Sequence, residues 1–113
     1  MHRGEIWLVN LNPTVEAEIR KERTAVIISN DTIGKLPLKV IVPITEWKEH
    51  YAAVPWMVRI KPDKTNSLDK ESAADAFQIR SVSKERFTRR IGLLSDAILQ
   101  EIVEAVTVVI NVI

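Results

Sequence analysis

Arg3-Gly4-Glu5-Ile6-Trp7-Leu8-Val9-Asn10-Leu11-Asn12-Pro13-Thr14 opens the chain, and Ala25-Val26-Ile27-Ile28-Ser29-Asn30-Asp31 follows after a charged stretch. Ile6 to Leu11 is almost continuously apolar over the length of one strand. Ala25 to Ile28 repeats that pattern. Such runs suit strands buried on both faces. The segment between them, Glu16-Ala17-Glu18-Ile19-Arg20-Lys21-Glu22-Arg23-Thr24, alternates in charge and reads as a loop.

Further strands follow. Leu38, Val40, Val42 and Ile44 alternate with Lys39, Ile41, Pro43 and Thr45, which predicts a strand with one core face. Pro43 cannot donate a ladder hydrogen bond, so an edge or a bulge is expected there. Trp56 to Lys61 alternates and stops at Pro62-Asp63. Phe77 and Ile79 alternate with Gln78 and Arg80 as another strand, with Gln78 and Arg80 on one face. Phe87 to Leu94 is a weaker strand, interrupted by Gly92. Glu46–Tyr51 and Ser83–Phe87 suit single helical turns. Several short strands separated by turn signals predict a small barrel.

From Ser95 onward the period changes. Ser95 or Asp96 can cap a helix, and Leu94 can staple against Leu99. Asp96, Gln100, Glu104, Thr107 and Asn111 recur at three or four residues and form one narrow polar stripe. The β-branched run Val106–Ile110 favours a strand, but the stripe favours a helix to the end of the chain. A helix with so little polar surface is expected to be covered on most sides. Either its own barrel does this alone, or a second protomer helps.

Composition bounds the rest. At 113 residues the chain is of single-domain size and can bury a core. It has no cysteine, which excludes disulfides and thiolate metal sites and fits a reducing cytoplasm. No apolar run reaches the ~18 residues of a membrane helix, and no signal-peptide stretch precedes Asn10. The formal charge of +1 is uneven. Residues 91–113 hold Asp96, Glu101 and Glu104 and no Lys or Arg, so residues 1–90 carry an excess of four positive charges. A nucleic-acid surface therefore belongs to the body and not to the terminal helix.

The opening strand, the Glu18…Arg23 spacing and the strand after Arg23 resemble PemK/MazF-type toxins, small RNA-cleaving proteins of bacterial toxin–antitoxin pairs. That family's loop reads roughly Gly-x-Glu-Gln-x-Gly-x-Arg-Pro. Here the acid and the arginine keep their spacing, whereas the glycines, the glutamine and the proline are replaced. The resemblance spans nearly the whole chain as one domain, 1–113. It implies a mainly β, SH3-like small barrel with a C-terminal α-helix. It also implies a homodimer formed through that helix, a single-stranded RNA substrate and a cognate antitoxin protein, in the cytoplasm with no membrane.

The implied activity is sequence-specific endoribonuclease cleavage without a metal or other cofactor. The 2′-hydroxyl of the RNA attacks the adjacent phosphorus and leaves a cyclic phosphate. Such a site must move protons and stabilise phosphoryl charge. Of the two histidines, His2 sits at the terminus, and His50 sits in a loop with no counterpart in the family pattern. Arg23 offers a planar fork matched to phosphate oxygens. Thr45, in Pro43-Ile44-Thr45, corresponds to a hydroxyl residue that faces the arginine in the family. Glu18 corresponds to the loop glutamate and can accept the 2′-hydroxyl proton, or it is simply solvated with Glu16 and Glu22. Arg20 and Lys21, in the same loop, are expected beside the RNA.

The stretch Glu71-Ser72-Ala73-Ala74-Asp75-Ala76-Phe77-Gln78-Ile79-Arg80 is similar to a family segment Asp-Ser…Gln-Ile-Arg. It nominates Ser72, Asp75, Gln78 and Arg80 as RNA contacts, since amides and guanidiniums read base edges well. Trp47 is the best base-stacking candidate among the three tryptophans. Lys84, Arg86, Arg89 and Arg90 form the densest basic cluster, either a phosphate track or a solvated surface. The same fold also serves non-enzymatic toxins that bind DNA gyrase, so a protein-binding toxin or an inactive relative is the alternative. Intact Arg23 and Thr45 argue against it.

Overall fold

The computed structural model describes residues 1–11 and 22–111. Seven strands precede one helix: β1 Glu5–Asn10, β2 Glu22–Ile27, β3 Leu38–Glu46, β4 Met57–Ile60, β5 Ser72–Asp75, β6 Arg80–Ser83, β7 Phe87–Leu93 and α1 Asp96–Ile110. All pairings are antiparallel, in the order β4-β5-β3-β2-β1-β7, with β6 also on β3. The chain is mainly β with a C-terminal helix, as the resemblance implies. Among the described residues no ladder joins β4 to β7, so the sheet is not a closed barrel.

The continuous apolar runs are strands with cores on both faces. Ile6, Val26, Val42 and Ile44 belong to a core that α1 caps with Leu99, Ile102 and Ala105. Val9, Ala25, Ile27 and Ile41 point the other way and pack with Val82 beneath Trp7, Leu11 and Phe87. Successive side chains of a strand face opposite sides, so both sets must be apolar. This corrects the one-faced reading of β3, because Ile41 is fully buried in the second core.

Pro43 also sits differently from expectation. β3 is interior, flanked by β2 on one side and by β5 and β6 on the other. Its pairing with β2 runs unbroken through Ala25↔Pro43. On its other side β6 pairs Leu38 to Ile41, and β5 pairs Ile44 to Glu46. Pro43 falls at this seam, where the ladder changes strand and a missing donor is tolerated.

The seam also removes the expected strand through Phe77–Arg80. Ile44 pairs with Ala74 and Ile41 with Arg80, so three steps along β3 match six along β5 and β6. The three extra residues are a 3-10 turn, Ala76–Gln78. Asp75 caps this turn by accepting the Phe77 N–H at 3.1 Å. Phe77 and Gln78 are therefore pushed out of the sheet, and only Arg80 is in a strand. Gln78 and Arg80 do not share a strand face.

β7 is a full strand, and Gly92 does not interrupt it. A Cβ on Gly92 would lie 2.3 Å from the Asn66 carbonyl oxygen. The glycine lets the loop between β4 and β5 press against β7, where the Leu93 N–H donates to the Thr65 carbonyl at 3.0 Å. Asn66 is buried and ties this loop together. Its side chain accepts from the Asp63 and Leu68 N–H groups and donates to the Lys61 carbonyl.

α1 starts as expected, with the Ser95 hydroxyl accepting the Ile98 N–H, and ends at Asn111 in the left-handed region. Its own sheet covers one side. Val108 and Ile110, two residues apart and so on opposite flanks of the buried stripe, remain 53% and 60% exposed.

Candidate active site

Arg23 and Thr45 come together because β2 and β3 end together. Thr24 opposes Ile44 as the last pair of their ladder, and the next residues are Arg23 on β2 and Thr45 on β3. Opposed residues of antiparallel strands share a face. Both side chains are exposed. They form a ridge between two clefts, and both residues line each one.

The smaller cleft, about 260 Å³, adds Leu11, Tyr51, Asp75 and Gln78 to the ridge. The turn that expels Gln78 from the sheet thus delivers it here. Gln78 Nε2 donates to Asp75 Oδ2 at 2.9 Å. A carboxylate only accepts, so this contact commits Nε2 to Asp75 and leaves Oε1 as the acceptor end of the amide. Asp75 is buried and already holds two donors, from Phe77 and Gln78.

The larger cleft, about 520 Å³, is walled by Leu68, Asp69 and Lys70 of the Asn66-tied loop, by Glu46 and Ser72, and by Arg89 of β7. Ser72 is buried, and its hydroxyl donates to the Lys70 carbonyl at 2.8 Å. Lys70 lies 3.7 Å from Glu46. Among the described residues neither Arg23 nor Arg89 has a hydrogen-bonded or ionic partner. The ridge therefore presents a hydroxyl and an uncommitted guanidinium at the junction of two clefts. That pair can hold two non-bridging oxygens of a phosphate.

Other nominated residues lie elsewhere. Arg80 opposes Ile41 on β6 and reaches neither cleft. Trp47 packs within the molecule: Arg59 lies over its ring at 4.8 Å, and Tyr51 meets it edge-on at 5.9 Å. One ring face is thus occupied, and the indole N–H is buried without a partner among the described residues. The hydrogen bond between Arg59 and Glu71 holds the Glu71 carboxyl below its usual range and raises the guanidinium. Glu18, Arg20 and Lys21 lie outside the described residues.

The basic cluster is divided between a 3-10 turn, Lys84–Arg86, and β7, which holds Arg89 and Arg90. Arg86 donates to the Asn10 carbonyl at 3.1 Å. Arg90 pairs with Glu5 at 3.4 Å. Burial raises the Glu5 carboxyl, but the Trp7 and His2 N–H bonds, the N-terminal ammonium and Arg90 outweigh it and hold the group low. Of the cluster, Arg89 lines the larger cleft. Sequence reading did not anticipate Tyr51 or the Leu68–Lys70 wall. The spacing of Asp63 and Asn66 after Pro62 is the one signal of a structured loop there.

A family model described as "PemK-like, MazF-like toxin of type II toxin-antitoxin system" matches residues 2–110. The chain is 37% identical over 109 residues to endoribonuclease MazF9 of Mycobacterium tuberculosis, covering 93% of this chain and 92% of that protein. It is 34% identical over 108 residues to endoribonuclease MazF of Staphylococcus saprophyticus, covering 96% and 89%. Its fold is similar to that of the Mycobacterium tuberculosis toxin MazF-mt6, with a TM-score of 0.76 at 17% identity over 96% of this chain and 98% of the other. MazF of Deinococcus radiodurans also superposes with a TM-score of 0.76, at 19% identity over 99% and 97%.

Proposed function

The chain belongs to the PemK-like, MazF-like toxins of type II toxin–antitoxin systems, and from that premise we propose a sequence-specific endoribonuclease that cleaves single-stranded RNA through the RNA's own 2′-hydroxyl. One observation carries the chemistry: the Arg23 guanidinium and the Thr45 hydroxyl stand side by side where the two clefts meet.

The scissile phosphate sits on this ridge. The 2′-oxygen bonds to phosphorus as its proton passes to a base, the role assigned to the Glu18 carboxylate. The P–O5′ bond breaks, and the 5′-oxygen takes up a proton from solvent. The products are a 2′,3′-cyclic phosphate and a 5′-hydroxyl. Charge gathers on the non-bridging oxygens in the transition state. Arg23 and Thr45 donate to them there, at fixed positions. Because the nucleophile comes from the substrate, no metal-activated water is required.

Gln78 reads a base edge in the smaller cleft, held by Asp75, and Ser72 lines the larger one. Arg20, Lys21 and Arg80 belong to the wider RNA surface. The active form is a homodimer made through α1, supported by the exposed Val108 and Ile110. A cognate antitoxin covers the clefts in the resting cell. A related mycobacterial endoribonuclease is described in complex with its cognate antitoxin. The protein works in the cytoplasm. No helix among the described residues is long and apolar enough to cross a membrane. The relatives named as endoribonucleases favour this reading over a gyrase-binding toxin.

The test is incubation with a long RNA in the presence of a chelator, with ends mapped by primer extension. Discrete cuts ending in cyclic phosphate are expected. Activity lost to chelator and restored by magnesium overturns the mechanism.

A further inference from the structure

We propose that Arg89 is a second RNA-binding residue, holding a phosphate next to the scissile one in the larger cleft. This rests on the ribonuclease reading and names a residue that the reading does not use.

The placement follows from register. Arg89 opposes Leu8, Leu8 opposes Thr24, and Thr24 opposes Ile44. Thr24, Ile44 and Arg89 all line the larger cleft. Arg89 thus stands two strands from Thr24, about 10 Å at the usual strand spacing. Arg23 is the residue beside Thr24. Two arginine side chains rooted that far apart, on one cleft, can engage successive phosphates of a bound strand.

The pairing of β1 with β7 shifts register on both sides of Leu8 and Trp7, leaving Thr88 and Ile91 unmatched. Bulges of this kind re-aim side chains. Here they bracket Arg89 and Arg90, sending Arg89 to the cleft and Arg90 to Glu5.

Pairing separates Arg89 from its neighbours. Arg86 and Arg90 each have a protein partner, and Lys70 has Glu46. Among the described residues Arg89 has none, a property it shares with Arg23. An uncommitted guanidinium on a cleft wall forfeits no existing bond when it takes a phosphate. Glu22 and Asp69 also border the cleft, so its field is mixed. Binding there depends on contact with the guanidinium fork rather than on long-range attraction.

The test uses a short RNA carrying one mapped cleavage site. Arg89→Ala should raise KM about tenfold with kcat unchanged. The plot of log(1/KM) against log[salt] should become shallower by about 0.7, one phosphate's worth for a single strand. Arg89→Lys should recover part of the affinity, and Arg90→Ala should behave as wild type. Replacing one flanking phosphate by a neutral methylphosphonate should raise KM in the wild type and add nothing in Arg89→Ala. A wild-type KM and salt slope in Arg89→Ala overturn the assignment, as does a methylphosphonate effect of equal size in both proteins. A wild type that cuts no RNA overturns the ribonuclease reading, and this assignment with it.

Discussion

The family resemblance alone pairs Arg23 with Thr45 in the sequence, and the structure sets them side by side because β2 and β3 end together in an antiparallel ladder. Their roles differ in what replacement removes. Arg23 is exposed and unpaired among the described residues, so its loss leaves the fold intact. It should cost transition-state stabilisation of about 3 kcal/mol by analogy with a lost oxyanion donor, or roughly a hundredfold or more in kcat. Arg23→Ala should therefore melt like the wild type and cleave far more slowly. Arg23→Lys should also fail, because an ammonium lacks the planar fork. Full cleavage by the lysine variant would show that charge alone is used. Thr45 was legible through the resemblance, since its strand alone would make it an ordinary β-favoured threonine. Gln78 was legible only as a residue type, because its position depends on a turn that the alternation of Phe77 and Ile79 conceals. Trp47 shows the opposite failure. Its type suits stacking, but Arg59 already covers one face of the ring.

At the scale of elements, the legible parts were those where local pattern and tertiary packing agree. The runs Ile6–Leu11 and Ala25–Ile28 are apolar because two cores need them, and the helix declares itself through the Ser95 cap and the polar stripe. The seam on β3 was not legible. Nothing local tells a proline where the neighbouring strand will change, and a three-residue insertion leaves no mark on hydrophobic periodicity. Gly92 is a related case, since its neighbour is a loop backbone distant in sequence. Gly92→Ala should be destabilising by about 1–3 kcal/mol, because the added methyl group would meet the Asn66 carbonyl at 2.3 Å and neither backbone can yield cheaply. Thermal or urea unfolding reads this directly. Because Asn66 anchors the Leu68–Lys70 wall, cleavage should fall more steeply than stability. An unaltered melting curve would mean that the loop moves aside at no cost.

At the scale of the whole molecule, the exposed apolar flanks of α1 call for a cover. The helix buries Leu99, Ile102 and Ala105 on its own sheet, and Ile98, Val106 and Val109 pack around the same core. Charge introduced at Val106 or Val109 would thus strike the monomer's interior and could not separate folding from assembly. Val108 and Ile110 are the informative positions, because both stand more than half exposed in the single chain. Apolar side chains clustered at one end of a helix are normally buried by association, and a twofold dimer is the commonest way to do so. The helix carries the acidic surplus of the chain, Asp96, Glu101 and Glu104, whereas the Arg23 ridge is on the basic body. Association through α1 would keep the acids away from an RNA bound to both bodies. Val108→Glu should leave the melting of the monomer almost unchanged, since the side chain is already in water. It should shift wild-type dimer to monomer in sedimentation at micromolar concentration. If each active cleft is completed by its neighbour, cleavage should fall in step with the dimer fraction. Cleavage that persists in a monomeric Val108→Glu protein would show that one chain suffices. A wild type that sediments as a monomer at that concentration would remove the dimer altogether.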